Sequence, residues 1–168
     1  MIYLTGFMGA GKTTIAKALA KQLALPFYDT DQLIEEQEGK DINSIFKNDG
    51  ELHFRTLEKE ILESINKKSI VACGGGLPIY NNNIQLLNKK GTSIYLKAST
   101  STLVSHLKNQ KNNRPLLKNK TNNELEEHIN TMLSTRENIY LKAKYTINTD
   151  NKSKDEIVEE ILALELSF

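Results

Sequence analysis

The stretch Gly6-Phe7-Met8-Gly9-Ala10-Gly11-Lys12-Thr13 constrains this chain more than any other. Glycines at its first and sixth positions, followed by Lys and Thr, spell GxxxxGK[ST], the pattern of a phosphate-binding loop. The four fixed positions would coincide by chance in roughly 0.5% of chains this long, before the flanks are considered. The flanks agree with the motif. Met1 to Thr5 is short and β-prone, and Ile15, Ala16, Leu19, Ala20 and Leu23 share one face of a helix starting just after the loop. Strand, glycine loop and helix are the setting this loop requires. The backbone N–H groups of Gly9, Ala10, Gly11, Lys12, Thr13 and Thr14 are the expected cradle for nucleotide phosphates, reinforced by the positive end of the helix. Lys12 is expected to reach the β- and γ-phosphates, and the Thr13 hydroxyl to hold Mg²⁺.

Composition narrows the rest. With 168 residues the chain is read as one domain, residues 1–168, large enough to bury a full core. The 22 Lys and Arg against 21 Asp and Glu leave a net charge of +1, which argues against nucleic-acid or membrane-surface partners. A single cysteine, Cys73, excludes an internal disulfide and fits a reducing compartment. No apolar run approaches the ~18 residues a membrane span needs, and the N-terminus enters the first strand at once, leaving no signal peptide. A cytoplasmic monomer is the expectation. Of the 22 basic residues only three are Arg: Arg55, Arg114 and Arg136. Arg alone offers a planar fork that grips carboxylate or phosphate with two bonds.

Periodicity then predicts alternating strands and helices. Further strands are expected at Phe27-Tyr28, 69–72, 93–97 and 145–148. Helices are expected after Asp31 up to Gly39, around Ile42 to Phe46, from Gly50 to about Asn66, at 82–88, at 100–107, from about Thr121 to Lys142, and after Ser153. Thr121 with Glu124, and Ser153 with Glu156, are capping boxes. The polar run from Lys108 to about Lys120, which holds Arg114, reads as a mobile lid. This alternation implies a three-layer α/β sandwich around a parallel five-stranded sheet, with ligands at the carboxyl ends of the strands. Thr5–Gly6, Asp29–Asp31 and Cys73–Gly76 would all meet there.

Phosphoryl transfer needs a cradle, metal support, a grip on the acceptor and positive charge. Asp29 and Asp31, two apart, are candidates for the metal side and the acceptor side, or else form a helix N-cap pair. The triplet Gly74-Gly75-Gly76 could present N–H groups to an anion, or be a plain tight turn. Arg55 borders an apolar stripe, with Glu51 and Glu58 at helical spacing to orient it. Arg136 continues the stripe of Leu125, Ile129, Met132 and Leu133, and is read as pointing into a cleft rather than snorkelling. Arg114 could swing onto the transferring phosphate.

Taken together, GFMGAGKT, Asp29-Thr30-Asp31, GELHFRTLE (Gly50 to Glu58), the glycine triplet, RPLL (Arg114 to Leu117) and RENIY (Arg136 to Tyr140) resemble the shikimate kinases, within the nucleoside-monophosphate-kinase-like P-loop proteins. The matches keep family order and cover nearly the whole chain. The resemblance implies ATP-dependent phosphorylation of the 3-hydroxyl of shikimate, in aromatic amino-acid biosynthesis. It assigns Lys12 and Arg114 to the phosphates and Thr13 to Mg²⁺, with Asp29 helping through water. It makes Asp31 the base that also holds the acceptor hydroxyls. Arg55, Arg136 and the Gly75–Gly76 region would take the acceptor carboxylate. Two departures stand out. Cys73 replaces the usual Thr or Ser before the glycines, and Lys108, Asn109 and Lys152 stand where an arginine usually meets adenine. A related small-molecule kinase, such as a gluconate kinase, and a non-catalytic nucleotide-binding module are the rival readings. His53, His106 and His128 show no ligand spacing and are expected to be solvated or packed.

Overall fold

Each strand is short and followed by a helix, and that order decides the architecture. The computed structural model describes residues 1–108, 121–164 and 166. In these the order is β1 (Ile2–Thr5), α1 (Lys12–Leu23), β2 (Phe27–Asp29), α2 (Thr30–Glu38), α3 (Ile42–Asn48), α4 (Gly50–Ser64), β3 (Ile70–Ala72), α5 (Asn83–Lys90), β4 (Thr92–Lys97), α6 (Thr100–Lys108), α7 (Asn122–Tyr140), β5 (Tyr145–Asn148) and α8 (Lys154–Leu162). The five strands form one parallel sheet in the order β2-β3-β1-β4-β5. After β1 the chain runs to the sheet edge at β2, returns to fill the gap with β3, then crosses β1 to reach β4. The phosphate loop thus leaves the central strand where the winding reverses, the place at which open parallel sheets leave a crevice.

The pleat sorts each strand's side chains onto two cores. Ile2, Leu4, Ile70, Ala72, Ile94 and Leu96 join Ile15, Leu19, Leu103, Ile129 and Ile157 on one face. Tyr3, Val71 and Cys73 join Ile34, Phe54, Leu57, Ile61, Leu77 and Ile84 on the other. Helix α7 begins against the first core through Leu125 and Ile129 and ends against the second through Ile139. This crossing carries Arg136 and Tyr140 toward the side where α4 lies.

Helix ends differ from the sequence reading by a residue or two. Helix α4 stops at Ser64, whose hydroxyl donates to the Ile61 carbonyl at 2.8 Å, while Ile65 turns to extended backbone and is buried. Helix α7 stops at Tyr140, with Leu141 as its C-cap, and its last ring is stacked on Tyr95. Asn82 caps α5 in a left-handed conformation (φ 58°), which Asn tolerates better than most residues. The expected capping boxes at Thr121 and Ser153 both form. Among the described residues no helix is long and apolar enough to cross a membrane. The expected lid falls, beyond Lys108, outside the described residues.

Candidate active site

Gly6 to Gly11 link β1 to α1 in a loop whose three glycines all take positive φ, Gly6 (136°), Gly9 (84°) and Gly11 (85°), backbone conformations that residues with side chains rarely adopt. Gly11 is the N-cap of α1. No side chain caps this helix, and no acidic residue sits in its first turn. The positive end of α1 is therefore left to the adjoining cavity, about 770 Å³, which is lined by Gly9 through Thr14, Asp29, Asp31, Cys73 and Gly75. Lys12 Nζ donates to the Phe7 carbonyl at 2.9 Å, arching the side chain over the loop.

Asp29 takes the N-cap role that the sequence offered as one of two alternatives, and its carboxylate also meets Thr13. One carboxylate oxygen accepts from the Thr13 hydroxyl at 2.8 Å, and the other accepts from the Asp31 N–H at 3.1 Å as the N-cap of α2. Thr13 and Asp29 thus place a hydroxyl and a carboxylate side by side at the phosphate end, a hard-oxygen donor pair of the kind Mg²⁺ takes alongside phosphates.

Gly74 and Gly76, the two outer glycines of the triplet, lie hard against their neighbours' side chains. A Cβ on Gly74 would stand 2.2 Å from Asp31 Oδ1, and one on Gly76 would stand 2.6 Å from Arg55 Nη1. The strip from Gly74 to Gly76 therefore has a carboxylate against one end and a guanidinium against the other. Gly74 N–H donates to the Thr30 hydroxyl at 2.8 Å, tying the strip to the start of α2. Cys73, just before it, is 1% exposed. Burial pushes its thiol well above the ordinary range, against the pull of Lys12, so it packs as a neutral group and is no nucleophile.

Arg55, Gly76 and Arg136 do not line the cavity of the phosphate loop; they belong to a second cluster at the far end of the glycine strip. Arg55 Nη1 donates to Glu58 at 2.7 Å, and Nη2 donates to Glu51 at 2.9 Å, the two partners its helical spacing predicts. The Tyr80 ring covers the guanidinium with its centroid 3.7 Å from Cζ. Glu58 is 1% exposed. Burial drives its carboxyl up to about 7, opposed by the bond to Arg55. The exposed Glu51 is held below its usual range by hydrogen bonds from Arg55 and Tyr80, with further attraction from Arg55 and Arg136. Arg55 of α4 thus bonds Glu51 directly, while Arg136 of α7 lends that carboxylate a weaker, through-space attraction. Tyr80 escaped the sequence reading because it lies on no helix with Arg55. Arg114 lies outside the described residues.

The cavity is also lined by residues to which the sequence assigned no nucleotide role, together with Lys152, one of those that stand where an arginine usually meets adenine. Thr102, Ser105 and His106 of α6 face Thr149, Asn151 and Lys152 of the turn between β5 and α8. His106 is exposed, as expected of a solvated side chain, and in addition its Nδ1 lies 2.8 Å from the Gly9 carbonyl, 97 residues away. Lys152 pairs with Glu160, so its ammonium is engaged within its own segment.

A parallel sheet with the phosphate loop on its central strand, and an arginine-centred cluster one short strip away, has the form of a P-loop kinase that acts on a small molecule. Residues 8–165 match the model of the family described as shikimate kinase. The shikimate kinase of Flavobacterium psychrophilum is 48% identical over 164 residues, covering 95% of each chain. The crystal structure of shikimate kinase from Bacteroides thetaiotaomicron superposes with a TM-score of 0.88 at 35% identity, covering 97% of this chain and 98% of that one. Shikimate kinase from Acinetobacter baumannii, solved in complex with shikimate, gives a TM-score of 0.85 at 35% identity, covering 96% of this chain and 89% of that one. The chain belongs to the shikimate kinase family.

Proposed function

We propose that this site transfers the γ-phosphoryl group of ATP to the 3-hydroxyl of shikimate, giving shikimate 3-phosphate and ADP on the route to aromatic amino acids. The observation that carries the reading is the glycine strip, which holds the Asp31 carboxylate against Gly74 and the Arg55 guanidinium against Gly76. An acceptor bearing hydroxyls at one end and a carboxylate at the other matches that polarity. Its hydroxyls would bond Asp31, which accepts the proton as oxygen attacks phosphorus. Its carboxylate would take the forks of Arg55 and Arg136 and the N–H groups of Gly75 and Gly76. A non-catalytic nucleotide-binding module would share the loop but would have no need of paired arginines there; a gluconate kinase, whose acceptor also carries hydroxyls and a carboxylate, is disfavoured by the 48% identity to a shikimate kinase.

At the phosphate end, the N–H groups from Gly9 to Thr14 and the Lys12 ammonium would hold the β- and γ-phosphates. Arg114 would supply further charge to the transferring group. Thr13, and Asp29 through water, would hold one Mg²⁺, which when bound would neutralise charge on the β- and γ-phosphates. The same reading makes residues 1–168 a single domain, with about 108–120 closing as a lid, working as a monomer in the cytoplasm. Balanced charge and a lone, buried cysteine fit that setting.

The test is a coupled ADP-release assay with ATP, Mg²⁺ and, in turn, shikimate, gluconate and nucleoside monophosphates. Turnover with shikimate alone is expected. Preferred turnover of gluconate or a nucleotide would overturn the assignment.

A further inference from the structure

Tyr140 is absorbed by none of the roles above, although it is fully buried beneath the acceptor end. Its ring is stacked on Tyr95 of β4, centroids 5.1 Å apart, which fixes where the phenol oxygen stands. That hydroxyl donates to the Gly75 carbonyl at 2.7 Å, across 65 residues of sequence. Burial raises the phenol to about 12, only partly offset by the Arg136 charge beside it, so the proton stays on the oxygen throughout the physiological range.

The bond does more than satisfy a carbonyl. The Gly75 carbonyl and the Gly76 N–H belong to one planar trans peptide unit and point in opposite directions. Holding the oxygen toward Tyr140 therefore aims the Gly76 N–H the other way. Glycine needs such a hold, since without a Cβ its peptide planes rotate more freely than those of other residues. On its second side, the Tyr140 oxygen faces the guanidinium of Arg136, one helical turn back on α7. One hydroxyl thus stands between two of the groups assigned to the acceptor carboxylate.

We propose that Tyr140 is a positioning residue for the acceptor's carboxylate, its hydroxyl setting together the direction of the Gly76 N–H and the orientation of Arg136. The inference rests on the reading of Arg136 and Gly76 as carboxylate ligands. Tyr140→Phe keeps the stacked ring and removes only the hydroxyl.

The experiment measures shikimate Kd by calorimetry, ATP KM and Tm for wild type, Tyr140→Phe, Arg136→Lys and the double variant. Tyr140→Phe is expected to weaken shikimate binding roughly five- to tenfold, the scale of one net hydrogen bond, while ATP KM stays within about twofold. The double variant should lose less than the product of the two single losses, because both act on one hydroxyl-centred arrangement. A lowered Tm with shikimate Kd unchanged in Tyr140→Phe would reduce the residue to packing and overturn the inference. So would losses that simply multiply. If Arg136→Lys itself leaves shikimate Kd unchanged, the carboxylate-pocket reading fails, and the inference with it. Should Tyr140→Phe not fold, the amide resonance of Gly76 in the wild-type protein decides. It should shift as shikimate is titrated in, and a Gly76 amide unmoved at saturation would overturn the proposal.

Discussion

Gly76 and Arg55 are so close that a Cβ on the glycine would stand 2.6 Å from the guanidinium's Nη1. The third glycine of the triplet is the surface on which Arg55 lies, and Arg55 is held there between Glu51 and Glu58. Gly76→Ala should therefore displace Arg55 and raise the acceptor KM about tenfold or more, on the scale of a lost charge-assisted hydrogen bond. Gly75 offers an internal control, because a Cβ there meets nothing nearer than the Met8 nitrogen at 3.6 Å, an ordinary contact. Steady-state kinetics with acceptor varied should show Gly75→Ala much less impaired than Gly76→Ala; equal losses would remove the steric argument.

Geometry against mere charge is tested at Arg55 and Arg136. A single ammonium cannot reproduce forked bonds to a carboxylate. Each Arg→Lys change should cost on the order of 1.5–3 kcal/mol of acceptor binding, tenfold or more in KM, with ATP KM nearly unmoved. Arg114→Lys should do the reverse, lowering kcat with near-normal acceptor binding, since its partner charge develops on the phosphoryl group. Unchanged acceptor KM in both Arg55→Lys and Arg136→Lys would sink the carboxylate pocket.

The two chemical roles nearest the cavity separate by kinetics. Lys12→Ala should abolish turnover with little change in Tm, because the side chain arches over the loop instead of filling the core. Asp31→Asn keeps shape and hydrogen-bonding reach but loses basicity, and kcat should fall roughly 10²-fold or more. A weaker acceptor KM with kcat intact would assign Asp31 to positioning alone.

Glu58 predicts a pH dependence of stability. Burial lifts its carboxyl from 4.5 to about 7 against the attraction of Arg55, with Asp31 and Glu51 adding to the rise. Between those values the folded chain keeps a proton that the unfolded chain has released. This group's contribution to stability therefore declines as pH rises from about 4.5 to about 7, and levels off above. Glu58→Gln cannot titrate, so its Tm relative to wild type should climb across that window. A relative Tm that falls from pH 4.5 to 7 would mean that the ion pair outweighs burial.

His106 ties α6 to the phosphate loop through the Gly9 carbonyl, 2.8 Å from Nδ1. Asn places its amide nitrogen close to where His carries Nδ1, so His106→Asn can keep the bond and His106→Leu cannot. Acceptor KM should be unaffected in both. ATP KM should rise severalfold in His106→Leu, on the scale of one net hydrogen bond, and recover in His106→Asn. Equal ATP KM in all three proteins would leave the contact without a role in nucleotide binding.

The amino-acid sequence by itself determined whatever depends on near neighbours. The phosphate loop, its strand and its helix are contiguous, so residue type and spacing specify them. Arg55 meets Glu51 and Glu58 because a helix brings residues three and four apart onto one face. Alternating apolar segments imposed a parallel sheet, and two capping boxes marked where helices begin. Tertiary structure alone decided the contacts that join separate segments. His106 reaches Gly9 across 97 residues, and Tyr140 reaches Gly75 across 65. Their closeness follows from strand order, which sets β3 and β4 on either side of β1 and so brings the segments that follow them to the phosphate loop. The glycine triplet shows the division most plainly. Three glycines could as well have been a loose turn, and only the packing of Asp31 and Arg55 against Gly74 and Gly76 explains why a side chain has no room there.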